Sequence, residues 1–164
     1  MLGGRSIDEV IDHAGAFVAA LSEVTGVIVD LGAGGGVPGL VIATARPDLR
    51  LVLVDRRTTR TDHLRRLVGR LGMSDRIEVV TADATSLTDL GADGAVARGF
   101  GAPAVTLAAA TAVVRSGALI VVSEPPMRDP TRWPADLLQT SGVMRVEQPD
   151  ARVAVFRRHV PRET

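Results

Sequence analysis

A dense glycine cluster that follows an aspartate is the part of this sequence best suited to chemistry. The run V-I-V-D-L-G-A-G-G-G-V-P-G-L begins at Val27, and five glycines fall within positions 32–39. Glycine permits positive φ and lets a ligand approach the backbone closely. A helix after such a turn presents free N–H groups and a positive dipole end. The segment therefore predicts a ligand-binding loop.

Two spacings within this cluster fit two different cofactors. Gly34, Gly36 and Gly39 match G-x-G-x-x-G, the dinucleotide pattern. Asp30, with Gly32 two positions later, instead opens the acidic G-x-G-x-G pattern of methyltransferases. A carboxylate beside the loop would repel pyrophosphate, whereas it suits a cofactor that carries an ammonium and a sulfonium and no phosphate. We therefore predict that S-adenosylmethionine is the cofactor and that Asp30 helps to bind it.

Three further residues follow apolar strands at positions where a nucleotide cofactor would lie. Asp55 ends the second strand and is placed to accept hydrogen bonds from ribose hydroxyls. Asp83 is placed to contact the adenine amino group, or alternatively to cap a turn. Arg98 follows the fourth strand, where cofactor and methyl acceptor should meet, and is our candidate catalytic residue. The alternative for Arg98 is a surface ion pair with Asp83 or Asp93.

The elements that must position these residues alternate between apolar runs and helical patterns, which indicates an α/β fold. We predict a single domain, residues 1–164, with a short N-terminal helix at 6–21. The expected architecture is a Rossmann-like, mostly parallel twisted sheet with helices on both faces and an antiparallel C-terminal strand pair. The predicted strands are 27–29, 51–54, 77–80, 94–97, 119–122, 143–146 and 153–156, and the further helices run from the loop to Pro47 and over 59–71, 103–114 and 135–139.

Composition narrows the function classes. Cysteine and tyrosine are absent and all 19 basic residues are arginine, which excludes thiol chemistry and mechanisms that need a tyrosine or lysine. The net charge is zero, so no overall field attracts nucleic acid. No apolar run approaches the roughly 18 residues of a membrane span, and the first residues do not resemble a secretion signal. We expect a cytoplasmic protein without a metal site.

Arginines between residues 56 and 70 form the strongest basic run of the chain. Arg56, Arg65, Arg66 and Arg70 are candidates for contacts with RNA phosphates. A solvated helix face explains the same pattern, and both interpretations stay open. Phe100 and Trp133 are the aromatic residues available for stacking on a base.

Several motifs resemble the RsmG (GidB) family, whose members methylate guanine N7 in bacterial small-subunit (16S) ribosomal RNA. The glycine run with its Val-Pro-Gly continuation, the A-x-x-R-P that follows, and A-R-G-F at 97–100 carry the resemblance. It implies a class I methyltransferase fold. The cofactor contacts that it implies are Gly32, Val37, Asp83, Ala84 and Arg98.

Two departures from the family pattern leave the methyl acceptor open. Only about 25 residues precede the first strand, and Ser123-Glu124 stands where the family has Lys-Gly. Glu124 could orient an acceptor or end a strand. The leading hypothesis is an RsmG-like RNA methyltransferase. The alternatives are a methyltransferase of the same fold that acts on a small metabolite, and a non-catalytic cofactor-binding or partner-binding module.

Overall fold

Helices and strands alternate along the chain in a computed structural model that describes residues 4–160. The helices are α1 (Ile7–Ala20), α2 (Gly39–Ala45), α3 (Thr58–Arg70), α4 (Pro103–Val113) and α5 (Ala135–Thr140), with a 3₁₀ turn at Ala84–Ser86. The strands are β1 (Val27–Leu31), β2 (Arg50–Asp55), β3 (Ile77–Thr81), β4 (Ala92–Ala97), β5 (Val114–Ser123), β6 (Val143–Val146) and β7 (Val153–Arg158). Every element predicted from the sequence is present.

One seven-stranded sheet holds the molecule together, in the order β3-β2-β1-β4-β5-β7-β6. Strands β1 to β5 pair in parallel, and β7 runs antiparallel to both of its neighbours. This arrangement confirms the predicted fold class. Because parallel strands end at the same edge, the residues after β1, β2, β4 and β5 gather on one side of the sheet, where ligands of open α/β sheets bind.

Each face of the sheet is covered by its own set of helices. Phe17 of α1, Ile42 of α2 and Leu64 of α3 belong to one buried core. Leu107 of α4 and Trp133 belong to the core on the other face. The strands are apolar on both faces because both are buried. Among residues 4–160, no helix is both long and apolar enough to cross a bilayer.

The N-terminal helix begins at a well-formed cap that the sequence indicates directly. The hydroxyl of Ser6 accepts the backbone N–H of Glu9, and the Glu9 carboxylate accepts the N–H of Ser6. This reciprocal capping box satisfies two N–H groups that have no partner within the helix. The buried side of α1 carries His13 together with Val10 and Phe17.

Candidate active site

Three clefts meet at the carboxyl edge of the sheet. The β2 cleft, about 310 Å³, lies over the ends of β2 and β3 and includes Asp55, Asp83 and Ala84 in its wall. The loop cleft, about 540 Å³, lies over the glycine loop and includes Val37 and Arg60. The β5 cleft, about 480 Å³, lies over the ends of β4 and β5. The clefts share some lining residues, and Gly99 lines all three of them. Gly32 lines the β2 and loop clefts, Arg98 lines the loop and β5 clefts, and Phe100 lines the β2 and β5 clefts.

The glycine loop is shaped by two of the predicted residues. Gly32 has a φ of +69°, and a Cβ there would lie 2.9 Å from the Phe100 ring. Gly34 has a φ of +53°, and its backbone N–H donates to Oδ2 of Asp55 over 3.0 Å. A side chain at position 32 would be strained and would close the gap between the loop and Phe100. The loop therefore leaves its backbone open where the β2 and loop clefts join.

Asp30 lies behind the loop and does not line any of the three clefts. It is 1% exposed, and its Oδ2 accepts the backbone N–H of Gly39 over 2.9 Å at the start of α2. Burial raises the pKa of Asp30 to about 7, against the lowering effect of that hydrogen bond. Asp30 thus supports the loop from beneath and accepts the first free N–H of α2, and its direct contact with the cofactor stays a prediction.

Gly36 packs against the core beneath the loop. It is buried, its φ is +96°, and a Cβ there would lie 2.6 Å from Leu40 and 3.2 Å from Leu64. The missing side chain makes room for core packing, so Gly36 is not a wall of the loop cleft. Val37, the next residue, does line that cleft, and the bond between Val37 and Pro38 is cis.

Asp55 is the anchor between β2 and the glycine loop. It is 4% exposed. Its Oδ1 accepts the N–H of Arg57 over 2.9 Å, and its Oδ2 accepts Gly34 and lies 3.6 Å from Nη1 of Arg60. Carboxylate oxygens can accept more than one hydrogen bond each. Asp55 therefore holds the loop while its carboxylate stays in the wall of the β2 cleft, where hydroxyl groups could reach it.

Asp83 and Ala84 also line the β2 cleft. Oδ1 of Asp83 accepts both the N–H and the hydroxyl of Thr85, so Asp83 caps the short 3₁₀ turn. These hydrogen bonds lower the pKa of the Asp83 carboxyl. The capping alternative raised by the sequence is thus realised, and it places the carboxylate in the cleft rather than away from it.

Arg98 is the cation between the loop cleft and the β5 cleft. The alternative ion pair with Asp83 or Asp93 is not formed: Asp93 pairs with Arg115 over 2.8 Å. Across residues 4–160, no carboxylate oxygen lies within 4.0 Å of the Arg98 guanidinium. Its charge is therefore available to whatever occupies the two clefts.

Glu124 and Trp133 differ most from their sequence-based interpretation. The Trp133 indole N–H donates to the Glu124 carboxylate over 2.5 Å, and the ring packs edge-on against Phe156 at 4.7 Å. Trp133 is 6% exposed, so it is a core residue and is not available to stack on a base. The Arg132 guanidinium lies 3.9 Å from the same carboxylate. Glu124 lines the β5 cleft with its charge already engaged.

The basic run on α3 is divided by the structure. Arg65 does not extend freely into solvent: its guanidinium donates to the Val79 carbonyl and to the Thr81 hydroxyl and lies 3.3 Å from Asp62. Arg65 therefore also contacts the sheet edge, while about half of its side chain stays exposed. Arg56, Arg66 and Arg70 are exposed as well, and for all four arginines both the RNA contact and the solvated face stay open.

His13 lines the β5 cleft and is not among the site residues predicted from the sequence. It is 9% exposed, and its Nδ1 has no hydrogen-bond partner among the described residues. The sequence does contain a signal, because His13 falls three positions after Val10 and four before Phe17 on the buried side of α1. That spacing indicates burial but says nothing about the cleft, which forms only when α1 packs beside the ends of β4 and β5.

Comparison with known proteins places the chain in a family. The family described as rRNA small subunit methyltransferase G (GidB) matches residues 8–124. Ribosomal RNA small subunit methyltransferase G of Frankia casuarinae is 37% identical over 97 residues, 57% of this chain and 36% of the relative. The protein of that name from Mycobacterium marinum is 28% identical over 173 residues, 96% of this chain and 76% of the relative. The chain thus covers about a third of the Frankia relative's length.

Solved structures agree on the fold. The S-adenosylmethionine-dependent methyltransferase SibL superposes with a TM-score of 0.71 at 18% identity, over 90% of this chain and 55% of that chain. The 1,6-didemethyltoxoflavin-N1-methyltransferase of Burkholderia thailandensis gives 0.68 at 20% identity, over 94% of this chain and 80% of that chain. The family match covers more than half of this chain's length, so the chain belongs to the rRNA small subunit methyltransferase G family.

Proposed function

We propose that this protein transfers a methyl group from S-adenosylmethionine to guanine N7 of 16S ribosomal RNA. The observation that carries the proposal is the meeting of three clefts at Gly99, with Arg98 shared by two of them. Such an arrangement suits a cofactor that extends over the first two clefts and an acceptor in the third. Membership in the rRNA small subunit methyltransferase G family, and the relatives of the same name, support ribosomal RNA as the acceptor.

The residues of the first two clefts fit this cofactor. Asp55 and Asp83 offer carboxylate oxygens to ribose hydroxyls and to an adenine amino group in the β2 cleft. Arg60 and Arg98 offer cations to the carboxylate end of the molecule in the loop cleft. Gly32 leaves the passage between the two clefts open. Among residues 4–160, no acidic residue lines the loop cleft, so the cofactor's ammonium would depend on backbone carbonyls.

The β5 cleft suits an acceptor that needs no deprotonation. When bound, S-adenosylmethionine supplies a methyl group activated by its sulfonium. As the N7–carbon bond forms from the nitrogen lone pair, the carbon–sulfur bond breaks and its electron pair stays on sulfur, so no proton is removed. Glu124, the acidic residue that lines this cleft within the described part of the chain, is engaged with Trp133 and Arg132. The chain's contribution is therefore alignment and exclusion of water.

The exposed arginines Arg56, Arg66 and Arg70 are proposed to contact phosphates around the target nucleotide. Arg56 lines the β2 cleft, and the other two lie four residues apart on α3. Spacing of four residues places both side chains on the same side of the helix. Because the overall charge of the chain is zero, this local patch would have to supply the attraction.

The test is transfer of a labelled methyl group to small ribosomal subunits that lack N7 methylation, compared with an extract of small metabolites. We expect label in the RNA at a guanine and, for Arg98→Ala, a loss of about 100-fold with the fold retained. Arg115→Ala, which breaks the ion pair with Asp93, is the matched control. Label in a metabolite fraction instead of RNA would favour the small-molecule alternative. Failure to bind the cofactor at millimolar concentration would defeat both enzyme functions.

A further inference from the structure

We infer that His13 positions the methyl acceptor by donating a hydrogen bond from its Nε2 to an oxo oxygen next to the methylated nitrogen. This inference rests on the proposed function and adds a specificity-determining residue to it. His13 lines the β5 cleft together with Arg98 and Phe100. It also lines an adjoining groove with Arg5 and Arg152, so the acceptor and its flanking groups could approach it from two sides.

An orphaned nitrogen sets His13 apart from the other polar residues of the core. Nδ1 of His13 is the one buried side-chain nitrogen or oxygen among residues 4–160 that has no hydrogen-bond partner. Buried polar atoms are nearly always paired, so an exception calls for an explanation. The ring also packs at 5.9 Å from Phe17, which limits its movement. The side chain is therefore held in place without being satisfied by the protein.

The orphaned Nδ1 favours one tautomer. A neutral imidazole has one N–H donor and one lone-pair acceptor. Buried N–H groups without an acceptor are rarer than under-satisfied acceptor atoms. Nδ1 therefore keeps the lone pair, and the proton resides on Nε2. This leaves His13 with a donor to offer to a ligand, and that donor matches a carbonyl oxygen.

The surroundings keep the imidazole neutral. Burial is the main cause that lowers the pKa of His13. The charges of Arg5 before α1, Arg98 after β4 and Arg152 before β7 lower it further. Asp150 acts in the opposite direction. Glu124 lines the same cleft but is bound to Trp133 and Arg132. Neutrality matters because a base methylated at a ring nitrogen acquires a positive charge, which an imidazolium would repel.

A donor at this position discriminates between purines. Guanine carries an oxo oxygen beside N7, whereas adenine carries an amino group that is itself a donor. An amino group facing Nε2–H would leave two donors opposed in a confined site. Sites that hydrogen-bond a substrate group reject analogues that lack it far more strongly than apolar pockets do. His13 would thus select a 6-oxopurine.

Three substitutions separate positioning from a purely structural role. In His13→Gln the amide nitrogen extends about as far as Nε2, in His13→Asn it extends only about as far as Nδ1, and His13→Leu has no donor. We expect His13→Gln to keep most of the activity on small subunits. The other two should lose about 2- to 12-fold in kcat/KM, the range of one neutral hydrogen bond. The affinity for S-adenosylmethionine, measured by calorimetry, should be unchanged in all three.

A second measurement does not depend on turnover. Nitrogen-15 NMR of the histidine rings, assigned with His13→Leu, should show His13 as the neutral Nε2–H form at pH 7. With S-adenosylhomocysteine at saturation, guanosine monophosphate should shift the His13 Nε2 signal and adenosine monophosphate should not.

Two results would overturn the inference: an Nδ1–H tautomer or an imidazolium at pH 7, or equal losses in the Gln, Asn and Leu variants accompanied by equal falls in melting temperature. Wild-type protein that binds the cofactor and methylates no RNA would instead count against the proposed function, and the NMR tautomer would still decide the state of His13.

Discussion

Oδ2 of Asp55 accepts the backbone N–H of Gly34 over 3.0 Å, which ties the end of β2 to the middle of the glycine loop. The two residues are 21 positions apart and belong to different strand–loop units. Gly34 has a positive φ, so the loop adopts a shape that needs an external support. The residue proposed to bind the ribose is therefore also the residue that keeps the loop in its binding conformation.

Replacing Asp55 by alanine should accordingly weaken cofactor binding twice over. The change removes a candidate ligand group, and it leaves the N–H groups of Gly34 and Arg57 without their acceptor. We expect a loss of about 1–3 kcal/mol in the free energy of unfolding. We also expect the Kd for S-adenosylmethionine to rise at least about tenfold, the equivalent of one such interaction. Calorimetry and denaturant unfolding measure the two effects. Asp75→Ala, an exposed aspartate distant from the clefts, is the control, and equal behaviour of the two variants would refute this assignment.

Two adjacent glycines offer a matched test of the loop's packing. A Cβ at Gly36 would lie 2.6 Å from Leu40 in a backbone with φ of +96°, whereas a Cβ at Gly35 meets nothing within 4 Å. Gly36→Ala should therefore lower the free energy of unfolding by at least about 1 kcal/mol, because it adds both overpacking and a strained φ. Gly35→Ala should leave it within about 0.5 kcal/mol of wild type. Denaturant unfolding measures the free energy of unfolding of both variants. A Gly36→Ala protein as stable as wild type would contradict the packing described for Gly36.

Sequence patterns predict the sheet well because strands buried on both faces read as uninterrupted apolar runs. The predicted strands 27–29 and 51–54 lie within β1 and β2, which are longer by two residues each. Asp30, Arg50 and Asp55 among the added residues are polar and so end an apolar run, and the buried Leu31 is separated from its run by Asp30. Helix boundaries were similarly close, since the capping box at Ser6 and Pro103 at the start of α4 mark them.

The buried carboxyl of Asp30 makes stability depend on pH in a defined window. Its pKa is about 7 in the folded protein and 3.8 as an unperturbed group. The folded state therefore holds this proton more tightly, and its contribution to stability is fully present below about pH 3.8. That contribution is lost as the pH rises towards 7 and stays lost above it. A pKa difference of this size changes the free energy of unfolding by at most about 4 kcal/mol, because each pKa unit corresponds to about 1.36 kcal/mol.

Asp30→Asn isolates this effect, because an amide oxygen can still accept the N–H of Gly39 while carrying no charge. We expect the variant to gain stability relative to wild type between pH 5 and pH 8. The measurement is the difference in free energy of unfolding between the two proteins at each pH. A difference that does not change with pH would mean that Asp30 ionises normally in the folded state.

Arg66 and Arg70 should contribute to RNA binding through charge alone. Both are exposed on α3. Alanine at both positions should weaken binding to small subunits and reduce the slope of log K against log salt by about 1.5, which is 0.7–0.9 per phosphate contact. Arg145→Ala, an exposed arginine of β6 at the opposite edge of the sheet, is the control. An unchanged slope would assign the α3 arginines to the solvated surface.

The residues of the site were harder to predict than the fold, for a physical reason. Sequence position placed Asp30 and Gly36 at the loop but could not show which way each faces. Asp30 turns to Gly39, and Gly36 gives its space to Leu40. His13 and Trp133 depended on packing between distant segments: His13 enters the β5 cleft from α1, and Trp133 inserts next to Phe156 of β7. Spacing along the chain carries no record of such long-range contacts.

Arg65 has a consequence that concerns the chain's behaviour in solution. Strand β3 ends the sheet, so one of its sides has no neighbouring strand. Nη2 of Arg65 donates to the Val79 carbonyl on that strand over 3.1 Å and to the Thr81 hydroxyl over 3.2 Å. An open carbonyl on an outer strand is a template for pairing with another molecule, and a charged side chain blocks it. Arg65 thus places a charged side chain on an outer strand, the arrangement by which natural sheets discourage strand addition.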